Sequence, residues 1–304
     1  MNRADLSNLS SPLIFRGDDH TAYRDPTAIF EGGWFHLFFT LVETEPDGQV
    51  YMYLGKSKSR DLLHWEPVKK LTERDQSLNY SSPGNIIRFG GKWILCFQTY
   101  PRNNGEKYGN ETSRVYVSES EDLETFSPPR MLMVKGDILV PEMGRMIDPY
   151  LLEDAAVPGR WWCFFKQNGV GMSYSSDLVH WTFAGYAESG ENVCVLRREN
   201  AYLLFHSPHN GIGIMESDDC VHWKDTGRLI TLGQKDWPWA QGRLTAGFVL
   251  DATDAFDGEK TYLMFFHGSG PEDEQTMFDQ FASVALAWSN DLIRWEWPES
   301  ETMQ

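Results

Sequence analysis

Ser59-Arg60-Asp61-Leu62-Leu63-His64-Trp65 is the first of five similar heptapeptides spread along a chain of 304 residues. Ser and Asp side chains accept hydrogen bonds from nearby backbone N–H groups, so each heptapeptide predicts a tight turn. The Leu and the closing aromatic residue are expected to pack inward. An alternating or β-branched run precedes every copy, which indicates a strand that ends at the turn. The other copies begin at Ser120, Ser175, Ser217 and Ser289.

A β-hairpin is predicted upstream of each of these Ser-Asp turns, because two apolar runs flank a pair of turn-forming residues. These pairs are Gly32-Gly33, Gly90-Gly91, Pro158-Gly159, Glu199-Asn200 and Asp257-Gly258. A short strand after the aromatic residue completes four strands in each repeat. Five radial four-stranded sheets form a β-propeller. We therefore predict an all-β, five-bladed β-propeller with four antiparallel strands per blade. Within a single domain spanning 1–304, the predicted blades are 24–70, 81–133, 146–187, 190–231 and 244–298.

Composition and charge narrow the classes of partner. The formal net charge of −17 repels phosphate backbones and anionic lipids, so we expect neither nucleic acid nor a membrane as partner. The four cysteines sit in or beside apolar runs and are predicted to be buried thiols. The N-terminus lacks the apolar core of a signal peptide. We expect a cytoplasmic protein, or an exported one whose signal is absent from this sequence, and the oligomeric state stays open.

Candidate catalytic residues lie at the starting ends of the innermost strands, which meet at one face of a propeller. Alignment of the five repeats places three acids there, and crowded carboxyls are expected to differ in pKa so that one stays ionised while another holds a proton. This is the requirement of general acid–base chemistry. The aligned residues are Asp25, Ser82, Asp148, Glu191 and Thr245.

Polar residues at the returning ends of the second strands are expected to bind sugar hydroxyls, which both donate and accept hydrogen bonds. They are Thr40, Gln98, Gln167, His206 and His267. Arginines near the strand ends are expected to bind a substrate oxygen or to hold an acid ionised, namely Arg24, Arg102, Arg145 and Arg243. Trp239, beside Trp237, is a candidate for stacking on a sugar ring, and the segment 233–247 is expected to cover the funnel.

The motifs Arg24-Asp25-Pro26, Ile147-Asp148-Pro149 and Glu191-Asn192 resemble the furanosidase superfamily of five-bladed propellers, which includes glycoside hydrolase families 32, 43, 62, 68 and 117. Among these families, the motifs of family 43 are the most similar to those of this chain. The resemblance implies hydrolysis with inversion, in which Asp25 is the general base, Glu191 the general acid and Asp148 the residue that modulates and orients the acid. It implies plant or algal oligosaccharides as substrates, with arabinofuranosides, xylosides and galactosides as candidates. The loop between Ile230 and Thr245 is expected to close one end of the channel, which favours exo action.

The same resemblance implies that no cofactor is required, and that a structural Ca²⁺ in the channel would lie near His267. The chain departs from family 43 after Glu191, where Asn192 and Val193 stand in place of a small residue and Pro. The Asn-Asp-Pro-Asn-Gly motif of family 32 is absent, which argues against a retaining fructosidase.

Two other functions remain open on sequence grounds. An inverting glycoside phosphorylase would need a cluster of basic side chains for phosphate beside the acid. A propeller that binds glycans without catalysis would have the same fold, because fold alone proves no function. The hydrolase hypothesis requires the carboxyls of Asp25 and Glu191 to open into one pocket.

Overall fold

Twenty β-strands form five antiparallel sheets of four strands in the computed structural model, which describes residues 5–198 and 201–298. This confirms the predicted five-bladed all-β propeller. The turn predicted at Glu199-Asn200 lies outside the described residues. Within the described ranges, no helix is both long and apolar enough to cross a membrane.

The strands follow one another around the ring in chain order. The N-terminal strand is β1 (Leu13–Phe15). The first blade contains β2 (Thr21–Glu31), β3 (Trp34–Thr44), β4 (Val50–Ser59) and β5 (Lys69–Lys70). The second contains β6 (Ser81–Phe89), β7 (Lys92–Gln98), β8 (Val115–Ser120) and β9 (Arg130–Met131). The third contains β10 (Ile147–Glu153), β11 (Trp161–Lys166), β12 (Val170–Ser175) and β13 (Thr182–Ala187).

The last two blades complete the ring. The fourth contains β14 (Glu191–Arg197), β15 (Tyr202–Ser207), β16 (Ile212–Ser217) and β17 (Lys224–Ile230). The fifth contains β18 (Arg243–Asp251), β19 (Tyr262–Ser269) and β20 (Ser283–Ser289). Short 3₁₀ helices occupy Leu6–Asn8, Val140–Met143, Gln234–Asp236 and Thr253–Phe256.

The outermost strand of the fifth blade comes from the other end of the chain. Strand β1 pairs antiparallel with β20, with Leu13 opposite Ala285. Up to residue 298, where the described part of the chain ends, the segment after the fifth Ser-Asp turn forms only an isolated bridge between Trp288 and Glu296. The final blade therefore contains strands from both ends of the chain, which closes the ring by hydrogen bonding. The sequence repeat alone did not predict this closure.

The five Ser-Asp turns share one hydrogen-bonding pattern. The Ser Oγ accepts the N–H three residues later at 2.9–3.0 Å. The Asp Oδ1 accepts two further N–H groups at 2.7–2.9 Å. The residue after the Asp has a left-handed φ of 56–66° in every turn, although it is Leu in four copies and Cys220 in the fourth. Left-handed backbone is unfavourable for such residues, and full burial of their side chains opposes that cost.

Apolar side chains fill the space between neighbouring sheets. Phe35, Phe38, Phe39, Phe164 and Phe265 have no exposed surface. The four cysteines are buried and unpaired, as predicted. The burial of these alternating faces fixes the register of the sheets, and it thereby fixes where the inner strands begin.

Candidate active site

A bulge interrupts the inner strand of every blade near its starting end. At each bulge the register with the second strand shifts, and one non-glycine residue has a left-handed φ of 44–53°. The five residues are Asp25, Ser82, Asp148, Asn192 and Ala246. Left-handed backbone at non-glycine residues is frequent at functional sites.

These inner bulges correct the repeat alignment. The sequence placed Glu191 and Thr245 at the positions equivalent to Asp25, but each lies one residue before its bulge. Their structural equivalent in the first blade is Arg24. Blades one to three carry a Pro after the bulge residue, which marks the position, whereas blades four and five lack it. The sequence therefore offered no signal to choose between Glu191 and Asn192.

Hydrogen bonds between blades hold four of the five bulges. In each case a side chain of one blade's second strand accepts the N–H of the bulge residue in the following blade. The pairs are Thr40 Oγ1 with Ser82 (2.7 Å), Gln98 Oε1 with Asp148 (2.6 Å), Ser207 Oγ with Ala246 (2.8 Å) and His267 Nδ1 with Asp25 (3.1 Å). At the fifth junction the equivalent residue is Lys166, and Asp148 Oδ2 accepts the Asn192 N–H at 3.3 Å instead.

The second-strand residues predicted from sequence fall into two groups. Thr40, Gln98 and His267 are the hydrogen-bond acceptors just described. Gln167 and His206 each lie one position away from the residue equivalent to these acceptors, which is Lys166 in the third blade and Ser207 in the fourth. Gln167 Nε2 donates to the Met143 and Arg145 carbonyls at 2.9 and 3.0 Å, and His206 Nδ1 accepts the Gly190 N–H at 2.9 Å. Both are outside the lining of the cavity described below.

A cavity of about 520 Å³ opens at the starting ends of the inner strands, and Asp25, Asp148 and Glu191 all line it. The structure thus brings together three acids that lie far apart in sequence. Their accessibility differs. The Glu191 side chain is 31% exposed and that of Asp25 is 16% exposed, whereas Asp148 is buried. Glu191 is therefore the most exposed of the three acids.

The carboxyls of Asp25 and Asp148 are fixed by short polar contacts. Asp25 Oδ2 accepts from Thr40 Oγ1 at 3.0 Å, and its Oδ1 accepts from Asn192 Nδ2 at 3.3 Å. Asp148 Oδ1 accepts from Ser82 Oγ at 2.7 Å. Asn192 therefore contacts both acids, Asp25 through its amide and Asp148 through its backbone N–H. The sequence flagged Asn192 only as a departure from a family pattern.

The pKa of Asp148 is strongly raised. Burial and then the charges of Glu191 and Asp25 raise the pKa of Asp148 from 3.8 to about 7, while the hydrogen bonds from Ser82 and Asn192 act in the opposite direction. A carboxyl with a pKa near neutrality, next to two other carboxyls, is the arrangement that the sequence predicted for acid–base chemistry.

Two arginines and a further glutamate extend the acid cluster. Arg243 Nη2 donates to Glu191 Oε1 at 2.6 Å, and Arg243 Nη1 donates to Glu274. Arg24 also donates to Glu274. Arg24, Arg243 and Glu274 line the cavity. Glu274 was missed by the sequence analysis, because it lies in a long connection between strands of the fifth blade and outside the repeated elements.

The loop 270–282, which carries Glu274, lies beside the cavity together with the segment 99–114. Arg102 forms two hydrogen bonds with Asp279 at 2.6 and 2.9 Å, and Tyr108 contacts Phe278 with ring centroids 4.9 Å apart. The sequence had instead predicted that the segment 233–247 covers the opening of the central channel. Its Trp237 and Trp239 are buried and stacked at 5.0 Å in the core.

The remaining predicted residues differ in their placement. Arg145 lines the cavity, and its Nε donates to the Gly109 carbonyl at 3.0 Å. Ser82 is outside the cavity lining and donates a hydrogen bond to Asp148. Trp239 and Thr245 are buried and outside the cavity lining, so neither is exposed to a ligand there.

The surroundings of His267 do not fit a metal ion. Its Nδ1 accepts the Asp25 N–H, and its Nε2 lies 3.4 Å from Glu274 Oε1. Both ring nitrogens are thus engaged in hydrogen bonds, and a ligating nitrogen needs a free lone pair. No group of three or more metal-binding His, Cys, Asp or Glu side chains occurs in the described part of the chain.

Comparison with known proteins places the chain among glycoside hydrolase propellers. Residues 20–196 match the model of the glycosyl hydrolases family 32 N-terminal domain, and no curated protein matches the chain. The catalytic domain of a family 62 α-L-arabinofuranosidase from Coprinopsis cinerea is 14% identical, with a TM-score of 0.64 over 91% of this chain and 97% of that one.

Two further solved structures share the fold. A thermostable family 43 glycoside hydrolase is 13% identical, with a TM-score of 0.60 over 94% of this chain and 96% of that one. An exo-1,5-α-L-arabinanase from a bovine ruminal metagenomic library is 15% identical, with a TM-score of 0.60 over 88% and 93%. These matches confirm the predicted superfamily. The matching family model is that of family 32, whereas the motifs had pointed most closely to family 43.

Proposed function

Because the chain belongs to the family of the glycosyl hydrolases family 32 N-terminal domain, we propose that it hydrolyses a glycosidic bond with the carboxyls of Asp25 and Glu191. The observation that carries the proposal is that both carboxyls, together with Asp148, line one cavity. A glycoside hydrolase needs two carboxyls on either side of the scissile bond, one as proton donor and one as base or nucleophile.

Glu191 is the proposed proton donor and Asp25 the proposed base. Glu191 is the most exposed of the three acids, so it can reach the leaving oxygen. Asp148 is buried with both oxygens already bonded, to Ser82 and to the Asn192 N–H, so its proposed role is electrostatic. Asp25 is held by Thr40 and Asn192, which fixes the direction from which it removes a proton from the attacking water.

Inversion is the proposed stereochemical outcome. The first-blade motif reads Arg24-Asp25-Pro26-Thr27 and differs from the Asn-Asp-Pro-Asn-Gly of family 32. We therefore propose that this site works as in family 43, in which the base activates water directly. An inverting pair leaves room for a water molecule, with carboxyls about 6.5–9.5 Å apart.

Plant or algal oligosaccharides, with arabinofuranosides first among them, are the proposed substrates. Two of the similar structures are an arabinofuranosidase and an exo-arabinanase by name. Phe278 and Tyr108 line the cavity near the loop 270–282, and aromatic faces bind the apolar side of sugar rings. Glu274, Gln275 and Phe278 of this loop line the cavity, and a loop at the substrate site supports the proposed removal of a terminal residue.

The charge arrangement favours hydrolysis over phosphorolysis. Arg24 and Arg243 donate to Glu274, and Arg243 also to Glu191. Arg102 is paired with Asp279. Among the described arginines that line the cavity, only Arg145 forms no salt bridge with a carboxylate, whereas phosphate binding needs several unpaired donors.

A panel of nitrophenyl glycosides and arabino-oligosaccharides, with the product anomer followed by NMR, tests the proposal. We expect hydrolysis with inversion in the wild type and a loss of at least ~100-fold in kcat in Asp25→Asn and in Glu191→Gln, with the fold retained. Turnover of a cognate glycoside at the wild-type rate in either variant would contradict the assignment. Activity that depends on phosphate would instead identify a phosphorylase.

A further inference from the structure

One buried carboxylate connects the two sides of the candidate active site. Glu274 lies in the loop 270–282, and its side chain is 5% exposed. Arg24 Nη2 donates to its Oε1 and Arg243 Nη1 to its Oε2. His267 Nε2 lies 3.4 Å from Oε1. Burial alone raises the pKa of Glu274, but the charge of Arg24, the hydrogen bond from His267 and the charge of Arg243 outweigh it and hold the pKa well below its ordinary value.

The first connection runs from Glu274 to the proposed acid. Arg243 donates to Glu274 through one terminal nitrogen and to Glu191 through the other, at 2.6 Å. A guanidinium is planar and rigid, so a contact at one nitrogen fixes the direction of the other. The position of the Arg243 fork against Glu191 therefore depends on Glu274.

The second connection runs from Glu274 to the proposed base. His267 Nδ1 accepts the backbone N–H of Asp25 at 3.1 Å, so the proton of the neutral ring is on Nε2, which faces Glu274. Burial lowers the pKa of His267, which favours this neutral form. The imidazole is thus held between Glu274 and the left-handed backbone of Asp25.

We propose that Glu274 is a positioning residue, which orients Glu191 through Arg243 and Asp25 through His267. This inference rests on the proposed function, because it assigns a task to groups that carry the proposed hydrolysis. Glu274 belongs to no repeated element of the propeller, so one residue of an irregular loop fixes the geometry of two acids that the blades supply.

The charge of Glu274 has a second consequence. Its carboxylate offsets the positive charges of Arg24 and Arg243. The other titratable groups that line this cavity or touch Glu274 are Asp25, Tyr100, Tyr108, Glu111, Arg145, Asp148, Glu191 and His267. Removal of the Glu274 charge leaves the guanidinium charges uncompensated, which favours the ionised form of Asp148 and lowers its pKa. The alkaline limb of a rate profile that needs a protonated acid then moves to lower pH.

The test compares Glu274→Gln with Glu272→Gln, an exposed glutamate of the same loop, as matched control. Two readouts are used: the pH profile of hydrolysis of a nitrophenyl arabinofuranoside, and the carboxyl titration followed by ¹³C NMR. In Glu274→Gln we expect kcat to fall ~30-fold with KM changed far less. We also expect the alkaline limb and the highest carboxyl titration to move down by about half a pH unit or more. Glu272→Gln leaves both readouts unchanged.

Loss of a buried charge next to two arginines is destabilising. If Glu274→Gln does not fold for this reason, Glu274→Asp is used as the test variant. It keeps the charge and shortens the side chain by one methylene group. We expect kcat ~10-fold lower with the alkaline limb in place, and a shifted ¹H resonance for His267 Nε2–H. A folded Glu274 variant with wild-type kcat and wild-type titrations would overturn the proposal. If the wild type hydrolyses no glycoside, the proposed function fails, while the titration and the His267 resonance still decide the role of Glu274.

Discussion

The Ser-Asp turns and the inner bulges are both five-fold features of this propeller, and each places one non-glycine residue per blade in the left-handed region. They differ in how the left-handed residue is supported. In the turns, side chains of the same heptapeptide accept the backbone N–H groups, so the bonds are local. In the bulges, the acceptor comes from a neighbouring blade.

This difference explains why one feature is uniform in sequence and the other is not. A local turn needs the same Ser and Asp at every copy, because those side chains form it. A bulge needs only an acceptor from the preceding blade, and Thr, Gln, Ser, His and an Asp carboxylate all fill this role. The bulge residues themselves are thus free to differ, and three polar ones, Asp25, Asp148 and Asn192, line the cavity.

The largest expected effect is on catalysis at a bulge. Asp148→Asn should lower kcat by ~100-fold or more, because it removes the ionisable carboxyl beside the proposed acid. It should also change the pH dependence of stability. The pKa of Asp148 is raised from 3.8 to about 7 by burial and by its acidic neighbours, so the unfolded chain releases this proton first. The contribution of Asp148 to wild-type stability therefore falls as pH rises from about 4 to about 7.

Asp148→Asn should remove that contribution, so that the unfolding free energy of the variant rises with pH relative to that of the wild type over the same range. Urea unfolding at several pH values measures it, alongside kcat on the cognate glycoside. A variant with the pH dependence of the wild type would show that Asp148 does not hold the proton.

An intermediate effect is expected where a bulge loses its acceptor. Thr40→Val removes the hydroxyl that accepts the Ser82 N–H and donates to Asp25. A buried N–H without a partner costs about 1–3 kcal/mol, and a less restrained Asp25 should lower kcat ~10-fold. Thermal unfolding and steady-state kinetics measure the two effects together.

Thr27→Val is the matched control for this variant. Thr27 lies in the same blade and is equally buried, and its hydroxyl has no hydrogen-bond partner among the described residues. We expect stability and kcat within experimental error of the wild type, or a slightly more stable protein. Equal losses in Thr27→Val and Thr40→Val would attribute the effect to packing rather than to the bond between blades.

The smallest effect is expected at a Ser-Asp turn. Asp219→Ala removes the acceptor of the Val221 and His222 N–H groups, which should cost about 1–2 kcal/mol and leave kcat unchanged. Asp218→Ala, the adjacent and exposed residue of the same turn, is the control and should have almost no effect. A change in kcat with Asp219→Ala would show that the turns and the active site are coupled.

The sequence determined the fold and most of the acids. Five Ser-Asp turns appear in it because each is built from its own side chains, and Asp25 and Asp148 are marked by the Pro that follows them. Glu191 was identified as a candidate although its alignment was off by one residue. The predicted superfamily follows from the same motifs.

Only the tertiary structure decided which side chains surround those acids. The contacts of Asn192, the exchange of acceptors between blades and the closure of the ring by β1 all join residues far apart in the chain. Glu274 shows this most clearly, since nothing in the polar loop 270–282 distinguishes it from Glu272. Its burial between Arg24, Arg243 and His267 exists only when the fifth blade stands beside the first. Local hydrogen bonds can be predicted from a local sequence motif, whereas contacts between blades depend on how the sheets pack.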